Sequence, residues 1–136
     1  MFLLDTNVIS ELRKARTADS RVVAWANNVE ASLLFISAIT VLELEQGVLL
    51  VERRDPKQGM ALRAWLDGQV MPEFSRRILP IDSDVARRCA GLHVPDPRSE
   101  RDAMIAATAL IHGLTIVTRN VVDFDKTGVR LINPWA

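Results

Sequence analysis

The chain has 136 residues, enough for one domain with a single core, and its 49% hydrophobic and 25% charged content is ordinary for a globular protein. Lysine plus arginine equals aspartate plus glutamate at 17 each, which excludes the broad basic footprint of a nucleic-acid coat and leaves only a local patch for such a role. No apolar run approaches the ~20 residues that span a bilayer. No basic-then-apolar leader precedes Asp5, and the lone Cys89 cannot form an intrachain disulfide, so a cytoplasmic location is expected.

Taken in order, the chain alternates apolar runs with helical patterns. Met1 to Leu4 reads as a strand buried on both faces, because an unbroken apolar run suits a parallel sheet. Asp5 ends it. There it either caps the next helix or faces a ligand at the carboxyl edge of the sheet. A short helix is predicted over 7–14, then a polar connection from Thr17 to Ser20. Asp19 or Ser20 caps a second helix through about Val29, with Val22, Val23 and Ala26 on one face and Trp25 in core or interface. Leu33 to Ile36 is the second strand. Ser37 caps a long helix from about Ala38 to Arg54. Its Val41, Leu42, Leu44, Val48, Leu49, Leu50 and Val51 cover more than one face, which predicts a dimer interface on so small a protein.

Asp55-Pro56 supplies an N-cap and a first-turn proline. The helix it opens carries Leu62, Trp65, Leu66 and Val70 and is predicted to end near Met71-Pro72. Ile78 to Ile81 is a short strand, placed at an edge because Pro80 cannot donate to a neighbour. Asp82 or Ser83 caps a helix through about Leu92. Pro95, Asp96 and Pro97 make 93–99 a loop. Ser99 starts another helix, with Asp102, Ile105, Ala106, Ala109 and Leu110, and Gly113 stops it. Thr115 to Thr118 is a strand, Arg119-Asn120 a polar turn into 121–124, and Arg130 to Ile132 a last short strand. With no repeat or linker, residues 1–136 read as a single α/β domain of βαβ units around a parallel sheet.

Four carboxylates fall where such a sheet concentrates function. Asp5 ends the first strand, and Glu43 lies in the second turn of the helix after the second. Asp123 follows the fourth strand, so right-handed crossovers put these three on one edge. Asp102 joins them only if its helix begins at that edge, behind the proline-rich loop. Acids gathered in one cleft repel one another unless a cation neutralises them. All-oxygen ligands suit Mg²⁺ or Mn²⁺, which can activate a water and stabilise charge on a phosphodiester. Thr118 and Asn120 are placed to orient ligands or water. His93 and His112 lack a zinc pattern and read as surface or capping residues. Arg53-Arg54 and Arg76-Arg77 are candidate basic patches or simply solvated surface.

These segments resemble a known family. Asp5-Thr6-Asn7-Val8-Ile9-Ser10-Glu11, Glu43-Leu44 with Gly47, Asp102 with Ile105-Ala106-Ala107, and Thr118-Arg119-Asn120 with Asp123-Phe124 look like PIN-domain ribonucleases. More narrowly they look like VapC toxins of the FitB-like type. The resemblance covers nearly the whole chain, in family order. It implies an α/β/α sandwich with a central parallel sheet, and Mg²⁺- or Mn²⁺-dependent cleavage of RNA by metal-activated water. It implies that Asp5, Glu43, Asp102 and Asp123 form the acidic, metal-holding quartet, with Asn7, Thr118 and Asn120 beside it. Glu45 competes with Glu43 but points roughly 200° away on a helix, so only one can face the cleft. The resemblance further implies a homodimer and a cognate DNA-binding antitoxin. The antitoxin blocks the cleft with a C-terminal segment and links the pair to operator DNA. An arginine would suit that cluster of carboxylates.

Other functions also place acids at strand ends. A phosphatase wants a second Asp two residues after the first, where this chain has Asn7, and a receiver wants a phospho-acceptor Asp in the middle strand with a late lysine. A non-catalytic module would instead use the acidic cleft to dock a basic partner segment.

Overall fold

A computed structural model describes residues 1–14 and 16–136. The first apolar run becomes β1 (Phe2–Leu4), followed by α1 (Thr6–Leu12) and α2 (Ser20–Asn27). A 3₁₀ turn, Ala31–Leu33, leads to β2 (Leu34–Ser37) and the long α3 (Ala38–Arg54). Then come α4 (Pro56–Trp65), a π-helical segment Leu66–Val70, and α5 (Met71–Phe74). The rest is β3 (Ile78–Leu79), α6 (Ser83–Leu92), α7 (Glu100–His112), β4 (Thr115–Val117), a 3₁₀ turn Val121–Phe124, and β5 (Leu131–Ile132).

The five strands pair in the order β3-β2-β1-β4-β5, all parallel. Successive side chains in a strand point to opposite faces, and here both faces are covered. Leu4, Ile36 and Val117 join one core with Val8, Ile9, Val22, Leu44, Val48 and Phe74 from α1, α2, α3 and α5. Leu3 and Ile116 join the other with Ile105, Ala106 and Ala109 from α7. That is the α/β/α sandwich the resemblance implies, and it is why the strands read as unbroken apolar runs. Alanines at 103 and 107, both fully buried, let α7 pack closely on Val85 and Cys89 of α6.

The chain leaves β1 in one direction toward β2 and β3, and fills the other side with β4 and β5. The strand order therefore reverses between β1 and β4. In such sheets a crevice opens there, at the carboxyl ends of the strands.

Several boundaries differ from the sequence reading. The helix opened by Pro56 does not end at Met71-Pro72. Met71 donates its N–H to the Leu66 carbonyl five residues back, and the helical path runs on to Phe74. The widened turn shifts the hydrogen-bond register, so Pro72 has no α-helical bond to forfeit. The first helix spans 6–12 rather than 7–14, and the second stops at Asn27. Ser37, besides capping α3 by accepting from the Thr40 amide (3.1 Å), still pairs with β3. β3 does sit at an edge but is only two residues long. Residues 121–124 form a 3₁₀ turn.

Candidate active site

The crevice between β1 and β4 holds the acids. Asp5 is anchored first by its backbone: its amide donates to the Val117 carbonyl (2.9 Å), extending the ladder one residue past β1. The residue is 7% exposed. Oδ1 accepts from the Thr6 amide (2.8 Å), so Asp5 does cap α1. Oδ2 accepts from Thr118 Oγ1 (2.8 Å) and from Asn7 Nδ2 (3.3 Å). Oδ1 thus serves the cap, while Oδ2 is held by the Thr118 hydroxyl and the Asn7 amide.

Thr118, Asn7 and Asn120 form one small network. Asn7 Nδ2 reaches Thr118 Oγ1 (3.3 Å), and Asn7 Oδ1 accepts from the Arg119 amide (3.3 Å). Thr118 Oγ1 also accepts from the Asn120 amide (3.0 Å). Thr118 is fully buried and sits at the end of β4 because its amide bonds the Ile132 carbonyl (2.9 Å). The turn after β4 is thereby locked to the turn after β1.

Glu43 enters from α3. Its Oε1 accepts from Thr6 Oγ1 (2.7 Å), and its Oε2 lies 3.6 Å from Arg101 Nη1. Glu45 points away, as its angular position requires, and is gripped by Arg63 of α4 (2.8 and 2.6 Å). Asp102 enters from the first turn of α7, and Asp123 from the 3₁₀ turn after β4. α7 therefore begins at the carboxyl edge of the sheet. A cleft of about 400 Å³ is lined by Asp5, Thr6, Asn7, Ser10, Glu43, Asp102, Asn120 and Asp123. All four sequence-predicted acids meet there, with two of the three polar residues; Thr118 lies beneath, bonded to Asp5.

The electrostatics agree with that convergence. Burial pushes the Asp5 carboxyl above its ordinary range; the Thr118 and Thr6 hydrogen bonds oppose this, and the charges of Glu43 and Asp102 add to it. Burial likewise raises Asp102, with the charges of Asp123 and then Glu43 adding. The acids thus feel one another across the cleft. They ring it without closing on it: among the described residues no three acidic, histidine or cysteine side chains stand close enough to grip one ion unaided. The donor chemistry is nonetheless all oxygen and anionic, which fits a hard divalent cation; Asp5, Glu43, Asp102 and Asp123 are the residues that would hold one.

The sequence reading missed Thr6, Ser10 and Arg101. Thr6 and Ser10 are one helical turn apart on α1, counted from the residue after Asp5, and that spacing alone aims both toward the same edge. Nothing in the spacing of Arg101 points to Glu43. The two basic pairs divide: Arg53 and Arg54 are exposed, whereas Arg77 is half-buried and donates to the carbonyls of Ala31, Leu34 and Glu73. His93 is a capping residue, ending α6 and accepting from the Arg98 amide at Nδ1 (3.2 Å).

Comparison with known proteins bears on what such a cleft does. Residues 2–129 match the family model described as the PIN domain. A VapC ribonuclease of Sinorhizobium fredii is 39% identical over 140 residues, covering 99% of this chain and 98% of the relative. Toxin FitB of Neisseria gonorrhoeae is 40% identical over 141 residues, covering 99% of both. Among solved structures, FitAcB from Neisseria gonorrhoeae superposes with a TM-score of 0.91 at 38% identity, over 99% of each chain. FitAB bound to a DNA fragment also gives 0.91, at 36% identity, over 100% of this chain and 96% of that one.

Proposed function

The chain belongs to the PIN-domain family, and on that premise we propose that it is a ribonuclease, the toxin of a toxin–antitoxin pair, which uses Mg²⁺ or Mn²⁺ to cut RNA phosphodiester bonds. The observation that carries this reading is the meeting of four carboxylates from four separate segments at the point where the strand order reverses. A surface built only to dock a basic segment has no need to bury Asp5, since burial pushes its carboxyl above the ordinary range.

Asp5, Glu43, Asp102 and Asp123 would hold the ion. When bound, it would lower the pKa of a water and stabilise charge developing on the phosphodiester. The chain's own residues arrange the ligands. Thr118 and Asn7 fix one oxygen of Asp5, and Thr6 fixes one oxygen of Glu43. Asn120, on the rim, is placed to hydrogen-bond a water or a phosphate oxygen.

Residues 1–136 would act as one folding unit in the cytoplasm; no helix among the described residues is long and apolar enough to cross a membrane. The partner is a DNA-binding antitoxin, supported by the likeness to FitAB bound to DNA. Operator DNA is reached through that antitoxin, since the toxin itself has no net positive charge. A homodimer is supported by α3, whose Leu42, Leu49 and Leu50 stand 44%, 54% and 58% exposed.

The test is direct. Purified protein is expected to cut RNA with Mg²⁺ or Mn²⁺ and to stop when the ion is chelated. Asp5→Asn and Asp102→Asn should each abolish cleavage with the fold kept. Expression should arrest growth, and Asp5→Asn should relieve it. An Asp5→Asn protein cutting RNA at the wild-type rate sinks the assignment.

A further inference from the structure

We propose that Arg101 is a substrate-binding residue: its guanidinium, paired with Glu43 in the free protein, transfers to a phosphate of the RNA strand that enters the cleft. The inference rests on the ribonuclease reading above and deepens it.

The cleft has a charge problem. Its lining is acidic or neutral throughout, with four carboxylates and no lysine or arginine among the residues that form it. An RNA strand is a polyanion. A bound metal ion would offset part of the repulsion at the reacting phosphate, but the flanking phosphates would also need a cation. Arg101 is the basic residue nearest to supplying one. Among the described residues it is the cation whose ion pair is made to a cleft acid.

Its present pairing is loose. One nitrogen lies 3.6 Å from Glu43 Oε2, beyond hydrogen-bond reach, and the side chain is 45% exposed. The contrast with Arg63 is instructive. Arg63 is 28% exposed and makes four hydrogen bonds, to Glu45 and Glu52, pinning α4 to α3. Three other arginines are otherwise engaged. Arg119 lies over the Trp135 ring and Arg13 over the Trp65 ring. Arg98 donates to the carbonyls of Leu92 and Asp125.

Local structure does not call for a cation at this position. Arg101 occupies the first turn of α7, where the helix dipole favours acids and opposes positive charge. A basic residue there weakens its own helix slightly. It also stands next to Asp102, so its Cα is fixed at the mouth of the cleft by the element that positions a proposed ion ligand. An exposed, weakly held guanidinium in that place can exchange a carboxylate for a phosphate, whose geometry it matches in two-pronged fashion.

The experiment compares the full-length wild type with R101Q and R101K. Binding of a short fluorescein-labelled single-stranded RNA is read by anisotropy across a salt series. Ca²⁺ replaces Mg²⁺, and a gel confirms that the RNA stays intact. Mn²⁺ binding is read separately by calorimetry, and cleavage kinetics with Mg²⁺ complete the set. R101Q is expected to bind RNA roughly tenfold more weakly and to lower the slope of log affinity against log salt by about one, as loss of a single phosphate contact should. R101K should recover the slope and only part of the affinity. R101Q should take Mn²⁺ at least as tightly as wild type, because a cation competing for Glu43 is gone, and its cleavage defect should fall mainly on KM. If R101Q binds RNA with unchanged affinity and slope but loses Mn²⁺ affinity, Arg101 only steadies Glu43, and the proposal is overturned. A wild type that cuts RNA while R101Q matches it in RNA binding brings down this inference alone. A wild type that neither binds nor cuts RNA brings down the ribonuclease reading and this inference with it.

Discussion

Glu43 and Glu45 lie two positions apart on one helix and have opposite fates. One lines the cleft, and the other is bound to Arg63 on the far side. This was legible in the sequence, because two helical steps turn a side chain by roughly 200°. The same arithmetic could have drawn in Thr6 and Ser10, but the sequence carries no sign that the Thr6 hydroxyl would meet a glutamate 37 positions on. That meeting depends on how far α3 slides along α1, which is a matter of packing. Thr6→Val keeps the shape and removes the donor at 2.7 Å from Glu43 Oε1. Partners that orient metal ligands typically contribute 10- to 100-fold in affinity or activity. Thr6→Val should therefore cut RNA roughly 10- to 100-fold more slowly and bind Mn²⁺ more weakly, while its melting temperature stays close to wild type. A variant with full activity and full Mn²⁺ affinity would show that Glu43 needs no orientation from α1.

At the scale of elements, the helices were readable where capping chemistry and periodicity agreed. α3 runs from Ala38 to Arg54 as the Ser37 cap and the Asp55-Pro56 break dictate, and Gly113 ends α7 in the left-handed conformation (φ +67°) that glycine tolerates. The passage from α4 through the π turn to α5 was not readable. Pro72 signals a stop, and only the register shift just before it keeps the path helical. The close approach of α4 to α3 was also hidden. A Cβ on Gly59 would fall 2.5 Å from the Cα of Glu52, so this glycine is a contact point between two helices rather than a flexible joint. Gly59→Ala should push the hairpin apart and strain the Arg63 bonds to Glu45 and Glu52. The expected loss is ~1–3 kcal/mol, measured by urea denaturation with the slope unchanged. Stability equal to wild type would mean that the two helices separate freely. The outer face of α3 carries a second expectation. Leu42 and Leu49 are seven positions apart and share one exposed stripe. Replacing both with glutamate should turn a dimer into a monomer by light scattering, with circular dichroism unchanged. A protein that is monomeric to begin with would refute the interface.

At the scale of the whole molecule, the position of the site follows from strand order. Three of the acids could be assigned to one edge from the sequence, because parallel strands joined by right-handed crossovers all end on the same side. The sequence could not say that β4 would lie next to β1, which brings Thr118 to Asp5 and opens the crevice between them. Nor could it say that the proline-containing loop would carry the start of α7 to that edge. The global cost of the arrangement is electrostatic, and it sets how stability varies with pH. Asp5 and Asp102 both have native pKa values raised above the ordinary 3.8. The folded state therefore keeps protons that the unfolded chain has released. Stability from this source is complete below about pH 3.8 and is lost as pH rises through the raised native values, so at neutral pH the ionised cluster works against folding. Asp5→Asn removes one such charge. It should unfold at a higher temperature than the metal-free wild type at pH 7, and the difference should shrink toward zero as pH falls to about 4. A divalent ion bound at the proposed site would relieve the same strain from outside. At about a hundred times its Kd it should add about 2.7 kcal/mol, on the order of 10 °C in melting temperature, at pH 7. That gain should fade on acidification, since protons and the ion compete for the same oxygens. Melting curves of wild type and Asp5→Asn, with and without Mn²⁺ at several pH values, would measure both effects together. Equal shifts by Mn²⁺ in the two proteins would place the ion somewhere other than this cleft.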